Sequence, residues 1–223
     1  MKLRKDIITV AIDAPAAAGA GTLAKLVAKE YNLIYLDTGK IYRFVGLLSL
    51  NHRAKFNYKN IKYEIKKLKV KKLNDKKLLT DKIAIAAAKI AKDKKIRKII
   101  KKFQTDFAYN PPKNYSGSVL DGRDITSVIM KDAMFKFYVT ANMKVRARRR
   151  YLEFKKLKKK IKYPEVLKSI RNRDYLDKNR IHSPLKKTKD SILINTSKLS
   201  KKASFNKIKS IIDEKIKILD GNL

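Results

Sequence analysis

The sequence contains no cysteine and no tryptophan, and it has only two histidines among 223 residues. Without cysteine the chain can form neither disulfides nor the thiolate sites that bind zinc or carry redox chemistry. No apolar run reaches the roughly 18 residues that a membrane-spanning helix needs. The first residues, MKLRKD, lead into a predicted strand rather than into a signal-peptide core. We therefore expect a soluble, cytoplasmic protein.

Acidic residues are also scarce, since 20 Asp and Glu accompany 57 Lys and Arg, for a formal net charge of +37. Clustered lysines can bind nucleic acid, so a basic nucleic-acid-binding module is one function to consider. The lysines are spread over predicted helix surfaces alongside many Ile and Asn, which favours a compositional bias and solvated lysine faces. His52 and His182 lie in polar, loop-like contexts and are expected to be neither ligands nor bases.

Two of the seven glycines lie in residues 7–26, a stretch that predicts a strand, a loop of small residues and a helix. The backbone amides of such a loop, with those of the first helical turn, can bind a phosphate group. Thr22 begins the predicted helix and stands where a hydroxyl would hold Mg²⁺. We call residues 14–22 the phosphate loop; it consists of Ala14, Pro15, Ala16, Ala17, Ala18, Gly19, Ala20, Gly21 and Thr22.

The phosphate loop departs from the usual pattern G-x-x-x-x-G-K-[ST]. Ala14 occupies the first glycine position, Ala20 occupies the lysine position, and an extra Gly21 precedes Thr22. Taken alone, the stretch is equally consistent with close packing of a strand on a helix.

The remaining pattern predicts one α/β domain. The length suits a single domain, and 44% hydrophobic residues can form a core. Short apolar segments at 33–36, 117–121, 134–139 and 191–195 alternate with predicted helices, which indicates a right-handed, mostly parallel sheet covered on both faces. The Lys-rich segment from about 51 to 80 is predicted to be an insertion with some strand.

Charged residues follow the predicted strands. Asp121 ends the strand at 117–121 and could hold Mg²⁺ through water, while Arg123 could reach a substrate phosphate; a plain turn is the alternative. Arg43, on the helix after the second strand, would present a planar fork to a phosphate. Arg173 and Asp177 are four residues apart and are predicted to share a helix face with Arg180, although a surface ion-pair row would look the same.

Five motifs in this order resemble those of the bacterial cytidylate kinases, the CMP/dCMP kinases among the P-loop nucleoside-monophosphate kinases. They are AIDAPAAAGAGTLAK, LDTGKIYR, LDGRDIT, VRARRR and RNRDYLDKNR, and the chain closes with SPLKKTKDSILINTS. The resemblance runs over roughly residues 7–215. The pair LDTGKIYR and LDGRDIT, joined to the RNRDYLDKNR helix, separates this family from adenylate and guanylate kinases.

The resemblance implies a three-layer α/β P-loop fold with a central five-stranded parallel sheet. A single domain, 1–223, would contain an NMP-binding insert at about 45–92 and a helical lid at about 146–178. The implied reaction transfers the γ-phosphoryl group of ATP to CMP or dCMP with Mg²⁺, in pyrimidine nucleotide metabolism. The implied protein is a monomer with neither a membrane nor a dedicated nucleic-acid partner.

The same resemblance implies roles for individual residues. ATP would be held by the phosphate loop, and Mg²⁺ by Thr22 and, through water, Asp121. The implied catalytic residues are Arg123, Arg149 and Arg173. The implied CMP-binding residues are Thr38, Arg43, Asp121, Arg123, Arg173, Asp177 and Arg180.

The loss of the loop lysine leaves two interpretations open. Ala20 removes a positive charge from the transferring phosphate, which can cost several kcal/mol of transition-state stabilisation. A lid arginine, or a nearby lysine such as Lys25, would compensate in an active kinase. Alternatively, the chain binds nucleotides and barely transfers phosphate. The presence of all acceptor-site arginines favours an active enzyme.

Overall fold

The structure is a computed structural model that describes residues 7–51, 56–158, 160–219 and 221. In these residues, strands alternate with helices along the chain. The strands are β1 (Ile8–Asp13), β2 (Leu33–Asp37), β3 (Gly117–Gly122), β4 (Phe135–Thr140) and β5 (Ile192–Asn195). The helices are α1 (Ala20–Glu30), α2 (Thr38–Asn51), α3 (Tyr58–Lys66), α4 (Asp81–Ile90), α5 (Lys94–Tyr109), α6 (Met143–Lys156), α7 (Tyr163–Asn179) and α8 (Lys201–Leu219).

The five strands form one parallel sheet in the order β2-β3-β1-β4-β5, which confirms the predicted sheet. Because all strands run the same way, their carboxyl ends meet at one edge, where α/β proteins bind ligands. The register pairs Asp37 of β2 with Asp121 of β3, and Asp13 of β1 with Gly122 of β3. Three acidic residues of the chain therefore reach the same edge.

Alternating residues of the strands pack in a hydrophobic core on each face of the sheet. Val10 and Ile12 of β1 face the layer formed by α1 and α8, whereas Ala11 faces the layer that contains α2 and α5. This two-sided burial explains why β1 is apolar almost throughout. Helices α6 and α7 pack together around Ala147, Val166 and Ile170, in a separate small cluster.

The prediction of some strand in the Lys-rich insertion was wrong. Among the described residues of that segment, α3 is followed by two 3-10 turns, Val70–Asn74 and Lys76–Leu79. The apolar residues Ile61, Ile65 and Leu68 recur at the spacing of a helix, and all three are buried in the core, where α3 packs against α5. Leu68 therefore marks the end of a helix and not a strand.

Polar side chains cap the next two helices. Thr80 caps α4, and Asp93 caps α5 by accepting a hydrogen bond from the Ile96 amide at 2.9 Å. None of the helices in the described residues is long and apolar enough to cross a membrane. Residues 1–6, expected to lead into a strand, and His52, expected to be neither a ligand nor a base, lie outside the described residues.

Candidate active site

The phosphate loop leaves β1 and enters α1 through two residues in the left-handed backbone conformation. Gly19 is the N-cap of α1 with φ +96°, and Ala17 has φ +59°. An alanine in this conformation costs about 1–2 kcal/mol, so Ala17 stores local strain that a glycine would avoid. Helix α1 begins at Ala20, two residues before the predicted start at Thr22. The amides of its first turn therefore lie directly after the loop, where an anion binds best.

The small side chains of the loop also pack against the core. Ala14, Ala18 and Ala20 are buried and contact the cluster that contains Leu23 of α1. Close packing and an open backbone thus occur together in one segment. Thr22, in contrast, is exposed at the mouth of the loop.

Asp13 fixes the segment that follows β3, a role that the sequence did not predict. Its carboxylate is fully buried and accepts hydrogen bonds from the Ile125 amide, the Thr126 amide and the Thr126 hydroxyl at 2.8, 2.8 and 2.6 Å. Burial raises the pKa of Asp13 to about 6, against the effect of these hydrogen bonds. The three bonds lock the π-helical turn Ile125–Ile129 onto the end of β1.

Asp121 faces the phosphate loop from the end of β3. Its Oδ2 lies 3.5 Å from the position that a Cβ on Gly21 would occupy, and its Oδ1 accepts a 2.8 Å hydrogen bond from the Tyr35 hydroxyl. Desolvation raises the pKa of Asp121 to about 7, and the neighbouring Asp37 carboxylate adds to the rise. Two neighbouring carboxylates that are partly shielded from water favour a nearby cation.

The donor set at this place suits Mg²⁺ bound partly through water. Carboxylate and hydroxyl oxygens are hard ligands, and Mg²⁺ usually keeps several waters and binds substrate phosphates. Within the described ranges, no group of three or more His, Cys, Asp or Glu residues could form an all-protein metal site. The chemistry of Thr22, Asp37 and Asp121 therefore fits a metal that arrives with a phosphate ligand.

Asp177 of α7 joins two of the predicted acceptor arginines. Its carboxylate accepts a hydrogen bond from Arg123 Nε at 2.7 Å and another from Arg173 Nε at 3.1 Å. Burial raises the pKa of Asp177, but the two guanidinium groups outweigh it and hold the pKa below its usual value. Arg123 and Arg173 thus stand side by side, with their charges oriented by one buried acid.

Arg180 does not share the helix face of Arg173 and Asp177, contrary to the sequence prediction. Helix α7 ends at Asn179, and Arg180 is its extended C-cap, which turns the side chain towards Asp124. Arg180 Nη2 lies 3.6 Å from Asp124 Oδ1, and Arg180 Nε donates to the Ser183 carbonyl at 2.5 Å. Nη2 is buried, and it has no hydrogen-bond partner in the part of the chain that the structure describes.

Arg97 belongs to the same cluster, and sequence reasoning missed it. Its Nη2 donates to Asp124 Oδ2 at 2.6 Å, in a pair whose side chains are 9% and 8% exposed. Tyr42 of α2 stacks near this guanidinium, with its ring centroid 5.5 Å away. The available signal was position: Arg97 stands beside Ile96 and Ile100 on the apolar face of α5, where a solvated cation would not lie.

An open cavity of about 460 Å³ is lined by Tyr42, Arg97, Asp124, Lys98 and His182, among others. That His182 acts neither as a ligand nor as a base stays a prediction.

Two predicted CMP-binding residues of α2 have protein partners. Thr38 is buried, and its hydroxyl donates to the Asp121 carbonyl at 2.8 Å. Arg43 donates to the Leu78 carbonyl at 2.8 Å and so reaches towards the insertion. Their assignment to CMP stays a prediction.

Helix α6 brings two arginines against the phosphate loop. Arg146 is buried, pairs with both oxygens of Asp174 at 3.0 and 2.6 Å, and donates to the Ala16 carbonyl at 3.1 Å. Arg149, one turn later, reaches the Ala18 carbonyl at 3.4 Å. The arginine-rich helix thus contacts the loop at Ala16 and Ala18, whereas Asp121 lies beside Gly21.

Comparison with known proteins agrees with this architecture. A family model described as cytidylate kinase matches residues 10–214. A cytidylate kinase from Bartonella tribocorum is 43% identical over 210 residues, covering 94% of this chain and 96% of the relative. A cytidylate kinase from Clostridium botulinum strain Loch Maree is 36% identical and covers 92% and 97%.

Among solved structures, an uncharacterised protein from Eubacterium ventriosum superposes with a TM-score of 0.55 at 15% identity, covering 92% of this chain and 98% of that one, and it supports the fold alone. The match of the family model over most of the chain, together with relatives above 30% identity along nearly their full length, places the protein: it belongs to the cytidylate kinase family.

Proposed function

We propose that the protein transfers the γ-phosphoryl group of ATP to CMP or dCMP, which yields ADP and CDP or dCDP. The position of two phosphate-binding regions side by side carries this proposal. The phosphate loop follows β1 and Arg123 follows the neighbouring β3, and the Ala14 amide donates to the Gly122 carbonyl at 3.1 Å. A donor on the loop and an acceptor on the arginines would therefore meet at one edge of the sheet. The relatives named cytidylate kinase support the same reaction.

The donor side would bind ATP through backbone amides. The amides of residues 14–22 and the positive end of the α1 dipole attract the β- and γ-phosphates without a large side chain. Thr22 and Asp121 would hold Mg²⁺, the acid through water. The metal would supply charge neutralisation between the phosphates during transfer.

The acceptor side would bind the phosphate of CMP through arginines. Arg123 and Arg173 are oriented by Asp177, and the buried Nη2 of Arg180 is a donor without a hydrogen-bond acceptor among the described residues. Asp124 Oδ1 lies 3.6 Å from Nη2, beyond hydrogen-bond distance, and a phosphate oxygen could accept the bond, because a buried N–H without a hydrogen bond is costly. Asp177 would also contact the sugar, as the family resemblance implies.

Thr38 and Arg43 complete the proposed acceptor side, on α2. Arg97 and Asp124 offer planar donors and acceptors close to Arg180. We therefore add these two residues as candidates to read the pyrimidine base.

Transfer itself would need positioning and charge rather than a protein nucleophile. The loose transition state of phosphoryl transfer spreads negative charge over the equatorial oxygens. Arg123, Arg149 and Arg173 would stabilise that charge from fixed positions.

Two segments of the domain would cover the bound nucleotides. Residues 45–92 would form the NMP-binding insert, and residues 146–178 the lid that excludes water. The separate cluster around Ala147, Val166 and Ile170 supports a lid that moves as one piece. A monomer is proposed as well.

No observation favours the alternative of an impaired kinase, and the nucleic-acid module rests on the net charge alone. Incubation of the protein with ATP, Mg²⁺ and CMP, followed by ion-exchange separation of nucleotides, tests the proposal. We expect equal amounts of CDP and ADP, and loss of both products when EDTA is added. ADP formation without CDP, or no reaction together with salt-sensitive retention of RNA that CMP and ATP leave unchanged, would contradict it.

A further inference from the structure

The phosphate loop has no lysine, so a cation for the transferring phosphate must come from another element. Lys25 of α1 is exposed, its Nζ stands 6.0 Å from the Tyr35 ring, and its charge acts on Asp121. Arg146 touches the loop, but Asp174 neutralises it through two hydrogen bonds. Neither side chain offers the loop a positive charge that is both fixed and unpaired.

Arg149 meets both conditions. Its Nη1 donates to the Ala18 carbonyl at 3.4 Å and lies 4.0 Å from the position that a Cβ on Gly19 would occupy. Gly19 is the N-cap of α1, so the guanidinium stands beside the turn where the loop becomes helix. Apart from Gly19 itself, its sequence neighbours and the backbone of α1, no other heavy atom of the described residues lies within 4 Å of that position.

The partners of Arg149 are all neutral. It makes no ion pair with any carboxylate in the described ranges, whereas Arg146 and Arg150 on the same helix pair with Asp174 and Glu153. Hydroxyl and carbonyl oxygens orient a guanidinium without cancelling its charge. A half-buried arginine of this kind keeps its attraction for an anion on the loop.

Thr196, directly after β5, fixes the arginine. Its hydroxyl accepts from Arg149 Nη1 at 2.9 Å, and its carbonyl accepts from Nη2 at 2.8 Å. The same hydroxyl lies 3.2 Å from the Ala18 carbonyl, and the Thr196 amide donates to the Thr140 carbonyl at 2.8 Å. These hydrogen bonds join the loop, β4 and Arg149. Because Thr196 is only 3% exposed, they are shielded from water.

We propose that Thr196 is a positioning residue that fixes Arg149 beside the phosphate loop, and that Arg149 thereby supplies the positive charge that Ala20 cannot. This inference rests on the proposed kinase function. In this arrangement an arginine of α6, held from outside the loop, takes the place of a lysine that would extend from the loop itself. The planar fork of arginine suits this task, because two of its nitrogens can bind Thr196 while the remaining N–H groups point to phosphate oxygens.

The first test compares Thr196→Val with Thr196→Ser. Valine keeps the volume and removes the hydroxyl, whereas serine keeps the hydroxyl. We expect kcat/KM for ATP, at saturating CMP, to fall roughly tenfold to a hundredfold in Thr196→Val and to stay within about threefold of the parent in Thr196→Ser. Thr188→Val removes a hydroxyl that bonds Ser191 before β5, and it should leave kcat/KM unchanged. Equal activity of the valine and serine variants would overturn the proposal.

The second test is a double-mutant cycle with the lysine restored. Arg149→Ala should lower kcat about 10²–10³-fold in the parent. In Ala20→Lys the same change should cost less than about tenfold, because the loop then carries its own cation. An equal loss in both backgrounds would show that Arg149 does not replace the lysine. Arg149→Lys should resemble Thr196→Val, since lysine cannot bind both Thr196 acceptors in a fork.

Failure of the inference is distinguishable from failure of the proposed function. The parent alone tests the function, since it either forms CDP or does not. If the parent forms no CDP, the same double-mutant cycle is measured through the dissociation constant of ATP, by calorimetry without CMP. Weaker ATP binding in Arg149→Ala that Ala20→Lys restores supports the inference, and unchanged binding contradicts it. Circular dichroism of each variant confirms that it is folded.

Discussion

Replacing Asp174 by Asn should destabilise the protein by about 3–5 kcal/mol, because it leaves the buried Arg146 guanidinium without a charged partner. The two side chains are 6% and 9% exposed, and their hydrogen bonds measure 2.6 and 3.0 Å. Asparagine keeps one acceptor oxygen and turns an NH₂ group towards the guanidinium. For a domain of this size, 1 kcal/mol shifts Tm by about 2–4 °C, so the expected drop is roughly 6–20 °C.

Urea unfolding at pH 7, followed by circular dichroism, measures this free energy. Glu153→Gln is the matched control on helix α6, because its partner Arg150 and Glu153 itself are 41% and 57% exposed. An exposed pair of this kind contributes at most about 1 kcal/mol. A free energy of unfolding for Asp174→Asn within about 1 kcal/mol of the parent would contradict this expectation, and so would an equal loss of stability in the control.

Three further outcomes are expected. Without nucleotide, the pKa of Asp121 is about 7 in the fold against 3.8 unfolded, so the folded state binds the extra proton and stability falls as pH rises between these values. Asp121→Asn should therefore raise Tm at pH 8 and leave it nearly unchanged at pH 4; a lower Tm at pH 8 would be the contrary result. Asp13→Asn should instead lower the free energy of unfolding by roughly 1–3 kcal/mol, because the new NH₂ group would face two amide donors and a hydroxyl. An unchanged urea midpoint for this variant would show that those hydrogen bonds are unimportant. Arg123→Ala and Arg180→Ala should each lower kcat/KM by about 10²–10³-fold with an unchanged far-ultraviolet spectrum, beside the exposed control Lys102→Ala; near-normal turnover in either variant would count against the site.

The sheet could be predicted because its strands are marked locally. Apolar segments with polar residues at their carboxyl ends predict buried parallel strands and place Asp121 and Arg123 at one edge, as the structure confirms. The insertion was harder, since the apolar residues around Leu68 are too few to separate a period of two from a helical period. Arg180 was misplaced because a helix boundary one residue earlier turns its side chain to another partner.

The residues that sequence reasoning missed depend on contacts between distant segments. Arg97 lies in a Lys-rich helix, where its position on the apolar face is a weak signal, and its partner Asp124, 2.6 Å away, is 27 residues distant in sequence. Thr196 looks like an ordinary residue after a strand, and its role requires β5 to lie beside β4. Arg149 was assigned from the family resemblance, and its contact with Thr196 spans 47 residues of sequence. Such pairings arise from the order of strands in the sheet rather than from any local pattern.

The most direct measurement is ADP release with ATP and Mg²⁺ in the presence of each of CMP, dCMP, UMP, AMP and GMP. We expect turnover with CMP and dCMP and little with AMP or GMP, despite Ala20 in the phosphate loop. Turnover that appears only after Ala20→Lys would mean that nothing compensates the missing lysine in the parent. No turnover in either protein would contradict the central claim that this member of the family is an active cytidylate kinase.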